Sequence, residues 1–172
     1  MKARQQIEAW LNHRDSLILN RNGEKLAAVA MIFRDTPTGT EMLFITRATH
    51  PDDPWSGQIA FPGGRYEPED LDLIDTVVRE TREEIDLDLG QHKLLGTLDE
   101  LVGQRSNQPA GIIIACYVYW IEPDYPVELT PNYEVAKVEW VTLSHLLDKA
   151  NATELNFDFN NQAYPAIRFP DA

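Results

Sequence analysis

The apolar positions of the chain fall into short blocks whose spacing changes from alternating to helical and back. Ile7, Trp10 and Leu11 recur at helical spacing, which predicts a short amphipathic helix over residues 3–13. Residues 25–33 and 42–46 are apolar and rich in β-branched side chains. The turn residues between them, Asp35 to Gly39 with Pro37, predict a hairpin. A polar loop over 48–56 and a short extended piece over 58–61 lead to Pro62-Gly63-Gly64. Helical spacing then runs over 69–86, and strands are expected over 94–98, 112–121 and 134–141. A short helix over 142–149, with Thr142 or Ser144 as N-cap, and a last strand over 163–169 complete the chain. This order predicts an α+β fold of the α/β/α sandwich kind with a mixed β-sheet. No repeat, low-complexity tract or linker divides the chain, so residues 1–172 are expected to form a single domain.

Composition narrows the partners. The 172 residues suit one domain with a substantial core. Fifteen Lys and Arg against 28 Asp and Glu give a net charge of −13. Such a field repels nucleic-acid backbone and anionic membrane, so neither is expected as a partner, and a phosphate-rich ligand would need a cation as intermediary. The longest apolar run, residues 110–121, is too short to span a bilayer. Arg4, Gln5, Gln6 and Glu8 make the N-terminus polar at once, so no secretory signal is visible. The single Cys116, inside the apolar run, excludes an internal disulfide framework and is expected in the core. The expected compartment is the cytoplasm and the expected state a monomer or homodimer.

The chemistry concentrates on the long helix. At about 100° per residue, Glu80, Glu83 and Glu84 share one arc, and Leu71, Ile74, Val78 and Ile85 form an apolar stripe nearly opposite. Three clustered carboxylates repel one another, and a hard divalent cation such as Mg²⁺ would neutralise them while sharing its sphere with substrate phosphates. Arg79 is placed to reach Glu83 one turn on. A solvated acidic face is the alternative on the helix alone. Just upstream, Gly63 and Gly64 permit a close main-chain approach, which would let a carbonyl point at the same ion.

The combination Phe61-Pro-Gly-Gly64, then Arg79-Glu80-Thr81-Arg82-Glu83-Glu84-Ile85-Asp86-Leu87, resembles the signature of the Nudix hydrolases. Gly64, Arg79, Glu80, Glu83, Glu84 and Leu87 match it. Thr81 stands where the family has an aliphatic residue and Asp86 where it has Gly. The stretch from Gly64 to Arg79 is one residue longer than the general pattern, with Glu67, Glu69 and Asp70 only near the expected lone Glu. The resemblance implies the Nudix-type sandwich and a hydrolase cleaving a diphosphate linked to another moiety with Mg²⁺ or Mn²⁺. By resemblance, Glu80, Glu83 and Glu84 are catalytic metal ligands, with a carbonyl from Gly63 or Gly64, and Arg79 is structural. Glu134 resembles a Glu near the metals in several members; an exposed strand end is its alternative.

Upstream, residues 43–48, with Arg47 and Ala48, and then Gly57 resemble the coenzyme A diphosphatase branch. That branch carries a basic residue mid-loop, where this chain has Asp52 and Asp53. Arg47, Arg65 and Arg105 are the candidate substrate contacts, each with a surface ion pair as its alternative. The polar loop 103–109 is a candidate recognition segment, Trp55 is a candidate for base stacking or loop packing, and His50 and His145 are expected on the surface or at caps. The expected ligand is a small nucleotide diphosphate derivative. The competing reading is a Nudix-fold sensor that binds such a ligand without turnover.

Overall fold

The computed structural model describes residues 2–51, 55–105, 108–122, 125, 127–157 and 162–170. Its strands in chain order are β1 (Lys25–Thr36), β2 (Gly39–Arg47), β3 (Ile59–Ala60), β4 (Gly63–Arg65), β5 (Lys93–Thr97), β6 (Leu101–Arg105), β7 (Gln108–Ile121), β8 (Val135–Thr142), β9 (Ala152–Phe157) and β10 (Gln162–Ile167). Its helices are α1 (Ala3–Asn12), α2 (Leu73–Ile85) and α3 (Leu143–Leu147).

The sheet is mixed. Its path runs β3-β2-β1-β7-β5, with β4 on β1, β6 on β7 and β8 on β2. β1 and β7 lie parallel from Lys25↔Ile112 to Arg34↔Ile121, and the other pairings are antiparallel. Side chains alternate across β1. Ala28, Ala30 and Ile32 join Leu43, Ile45, Tyr119 and Ile121 against Val77 and Ile85 of α2. Phe33 and Met31 turn the other way and join Val118, Trp120 and Leu11 of α1. Helices thus cover both faces, as an α/β/α sandwich requires.

Element ends differ from expectation in instructive ways. The hairpin turn is tighter than Asp35 to Gly39: strand pairing continues to Thr36↔Gly39. Gly63 and Gly64 do not end the extended chain; they begin β4, pairing with Val29 and Ala28. Strand pairing also invades the expected loop 103–109, as Gln104↔Pro109 and Arg105↔Gln108. β9 had no expected counterpart, because its apolar residues are sparse; it forms by pairing with β10. Thr142 does cap α3, accepting from the His145 N–H at 3.2 Å.

The long helix corrects the sequence pattern most. It starts at Leu73, capped by Asp72, whose side chain accepts from the N–H groups of Ile74 and Asp75. Leu71 therefore precedes it and is exposed, as is Ile74. The buried positions are Thr76, Val77, Thr81, Glu84 and Ile85, a face turned by about 90° from the expected stripe. The physical reason is that Glu84 has a main-chain donor waiting for it in β4, so one acidic position faces inward. At the other end Asp86 takes the left-handed conformation at φ 57°, and its N–H reaches the Arg82 carbonyl at 2.9 Å. Asp tolerates that region, so the helix closes without the glycine that the family pattern carries there.

Candidate active site

A cavity of about 620 Å³ opens where β1, β4, β7 and α2 meet the segment leading into β3. Its wall holds Glu80, Glu84 and Glu134, the cations Arg47 and Arg65, and both Gly63 and Gly64. Ala27, Val29, Ile112 and Ile114 form an apolar floor. His50 and Trp55 also line it, so His50 belongs to the cavity wall and not merely to the surface.

Gly63 and Gly64 do separate jobs. Gly63 has φ 141°, and a Cβ there would overlap the main chain of Ala28 and Val29. Its N–H donates to Glu84 Oε2 at 2.8 Å. A Cβ on Gly64 would overlap the carboxylate of Glu80. Two glycines in a strand thus let two carboxylates lie directly against main chain.

Glu84 is 2% exposed. Burial pushes its carboxyl up to about 7, against the Gly63 hydrogen bond and the charge of Arg47, with Glu80 and Glu134 adding to the rise. Glu80 is also raised, first by burial, with Arg79 opposing. Glu83 does not join them inside: its side chain is 56% exposed and meets Arg79 Nη1 at 3.4 Å. Glu134 is exposed at the cavity wall, and its carbonyl accepts from the Ala48 N–H at 2.7 Å. As they stand, no three His, Cys, Asp or Glu side chains among the described residues are gathered as an ion-holding group.

Arg79 acts beneath this wall. Its Nε and Nη2 donate to the two oxygens of Asp70 at 2.8 and 2.9 Å, Nη1 meets Glu80 at 3.1 Å, and Nη2 reaches the Arg65 carbonyl at 3.1 Å. Asp70 also accepts from Thr76 Oγ1 and the Glu67 N–H, both at 2.9 Å, so hydrogen bonding from Arg79 above all holds its carboxyl far below the usual range. Asp70 is the residue that sequence reasoning undervalued. Its position nine residues before Arg79, beyond the reach of a helical turn, hid the pairing, because the chain between them folds back through the Asp72 cap.

The remaining candidates divide. Arg47, at the end of β2, and Arg65, at the end of β4, both line the cavity. The backbone of Arg105 ends β6, but its side chain, like Asp52 and Asp53, lies outside the described residues. Trp55 is half-buried at the wall. His145 binds locally, Nε2 lying 2.7 Å from the Arg168 carbonyl. Cys116 is half-buried, and burial pushes its thiol up to about 11, which suits a packing role. No helix among the described residues is long and apolar enough to cross a membrane.

The chain is similar to known proteins. The human mitochondrial coenzyme A diphosphatase NUDT8 is 30% identical over 117 residues, covering 67% of this chain and 48% of the relative. The Nudix hydrolase NudL of Photorhabdus laumondii is 28% identical over 145 residues, covering 84% and 72%. The chain thus spans about half the length of the human relative. Among solved structures, the Nudix domain of Shewanella oneidensis NrtR complexed with ADP ribose superposes with a TM-score of 0.56 at 21% identity, covering 81% of this chain and 84% of that one. A Caenorhabditis elegans Ap4A hydrolase binary complex gives 0.55 at 20% identity, covering 72% and 83%. The NUDIX domain model matches residues 24–160, which include the glycine strand, the acidic helix and every cavity-lining residue named above, and the chain therefore belongs to the Nudix family.

Proposed function

We propose that the chain, as a single domain over residues 1–172, hydrolyses the diphosphate bond of a nucleoside diphosphate linked to another moiety, releasing a nucleoside monophosphate and a phosphate ester. The carrying observation is Glu84: a buried carboxylate with one main-chain donor, beside a second half-buried carboxylate, in the wall of an open cavity. A carboxylate so placed is costly when charged, and a cation at the wall relieves that cost. The donor set fits Mg²⁺ or Mn²⁺, being oxygen only, with Glu80 and Glu84 in place and Glu83 and Glu134 at exposed flanks from which a side chain can swing in. The Gly64 carbonyl is a further candidate donor. Such an ion lowers the pKa of water and offsets charge on the diphosphate.

The chain's own residues supply the rest. Arg79, anchored on Asp70, holds Glu80 in its orientation. Arg47 and Arg65 bring the positive charge that a diphosphate needs in a protein of net charge −13. Glu84 or Glu134 accepts the proton of the attacking water. Arg105 remains a candidate contact through the hairpin that ends β6. For the substrate, the likeness to coenzyme A diphosphatases favours a coenzyme A-like compound, with ADP-ribose or a dinucleotide as the alternative.

The test is a screen of coenzyme A, ADP-ribose, dinucleoside polyphosphates and nucleotide sugars with Mg²⁺ or Mn²⁺, product masses being identified. Release of a monophosphate and its partner ester supports hydrolysis. Tight binding of one of these with no product indicates a sensor.

A further inference from the structure

The apolar floor of the cavity takes its shape from a residue beneath it. Between the pairs Val102↔Ile113 and Gln104↔Pro109 the register of β6 against β7 shifts, so Gly103 stands opposite residues 110–112. Gly111, at φ 67°, makes the kink that such a bulge needs. Ile112 is thereby laid over Gly103. A Cβ on Gly103 would stand 2.6 Å from Ile112 Cγ2 and 3.5 Å from Ile114 Cδ1, and both isoleucines line the cavity.

Gly103 is buried and lies outside the left-handed region, so its backbone does not call for glycine. The space above it does. The atom in the way is the γ2 methyl of a β-branched side chain, which is stiff at χ1 and cannot swing aside as a long side chain would. On the far side of Ile112 stands β1, with Lys25 as its paired residue and the small Ala27 in the floor. A methyl at position 103 therefore pushes Ile112 away from β6 and into the cavity. The carboxylates are out of its reach: Glu80 and Glu84 lie against Gly64 and Gly63 of β4, which pairs with β1, whereas β6 pairs with β7.

We propose that Gly103 is a positioning residue for substrate binding: by leaving room for Ile112 to lie against β6, it sets the depth of the cavity floor and so the space for the uncharged part of the substrate beside the diphosphate. This rests on the hydrolase reading above and deepens it. The side chains of Ala27, Val29, Ile112 and Ile114 offer carbon alone, so an uncharged group is what the floor takes. Because Gly103 acts through Ile112 and not through the carboxylates, its influence falls on binding rather than on the chemical step.

The experiment measures kcat and KM with Mg²⁺ for coenzyme A and ADP-ribose, well below the Tm of every variant. Gly103→Ala is expected to raise KM about fivefold or more and to leave kcat within about twofold. Adding Ile112→Ala, which removes the obstructing methyl, should return KM to within about twofold of that of Ile112→Ala alone. Adding Ile112→Val instead, which keeps both branches at Cβ, should not. A lowered Tm with parental KM marks packing alone and overturns the proposal, as does a raised KM that Ile112→Val relieves equally or that neither substitution relieves. Should Gly103→Ala not fold, Ile112→Ala is compared with the double variant: equal KM supports the route through Ile112, and a higher KM in the double variant overturns it. If the parent turns over neither compound, their dissociation constants from calorimetry carry the same comparison. A Gly103→Ala effect there retains the positioning role while the hydrolase reading fails, and no effect or no binding overturns both.

Discussion

Two acidic side chains at opposite ends of α2 are equally well buried and have opposite fates. Asp70, just before the helix, is 5% exposed and receives donors from Arg79, Thr76 and the Glu67 main chain. Glu84, in the last turn, is 2% exposed and receives the Gly63 N–H. Burial raises both carboxyls, but hydrogen bonds outweigh it at Asp70 and burial wins at Glu84. A charge that is fully satisfied serves stability; one left short of donors is available to a ligand. The same helix thus carries an anchor and a reactive wall, with Arg79 joining them through Glu80.

The largest expected effect separates the two by function. Glu84→Gln should lower diphosphate turnover by about 10²–10³-fold or more, because the charge facing the cation and the proton acceptor are both lost. Normal steady-state hydrolysis by the variant would remove Glu84 from the site. Asp70→Asn should instead act on folding: Arg79 is left half-buried without its main counter-charge, at a cost of about 3 kcal/mol in urea unfolding. A variant as stable as the parent would show that Asp70 is no anchor.

The pH response sharpens the same contrast. Glu84 has a folded value of about 7 against an ordinary 4.5, so its contribution to stability is fully present below about 4.5 and is lost as pH rises through 7. Glu84→Gln should therefore match the parent near pH 4.5 and exceed it by about 1–3 kcal/mol at pH 8. Asp70 runs the other way: its contribution holds above its ordinary 3.8 and is lost as pH falls below it. Parallel stability curves for parent and Glu84→Gln from pH 4.5 to 8 would contradict the strain assigned to Glu84. An effect of similar size is that of the ion itself. Mn²⁺ at about 100 times its dissociation constant should stabilise the parent by up to about 2.7 kcal/mol, read as a rise in Tm, and Glu84→Gln by much less.

Several elements were legible in residue order because local chemistry decides them. The apolar blocks over 25–33 and 112–121 lie within β1 and β7, and the Thr142 cap precedes α3 as expected. The double glycine and the acidic helix carried the family resemblance that the domain match bears out. Other features were illegible for physical reasons. The expected stripe of Leu71, Ile74, Val78 and Ile85 put all three glutamates opposite the core, and β4 reversed that for Glu84 by offering an N–H donor. The pairing of Arg79 with Asp70 crosses the cap of α2, and no periodicity marks it. His50 lines the cavity, and its N–H donates to the Ser56 hydroxyl at 2.7 Å, a contact that no local pattern marks.

Sequence by itself determined the inventory: which segments are extended or helical, a strong negative charge, and acidic, basic and glycine residues in one recognisable spacing. These follow from backbone preferences and patterns that act over a few residues. Only the tertiary structure decided which of three neighbouring glutamates is buried and which acid neutralises Arg79. Those outcomes depend on burial and on donors brought from distant strands, and the free energy of a charge is set by what surrounds it rather than by what precedes it in the chain.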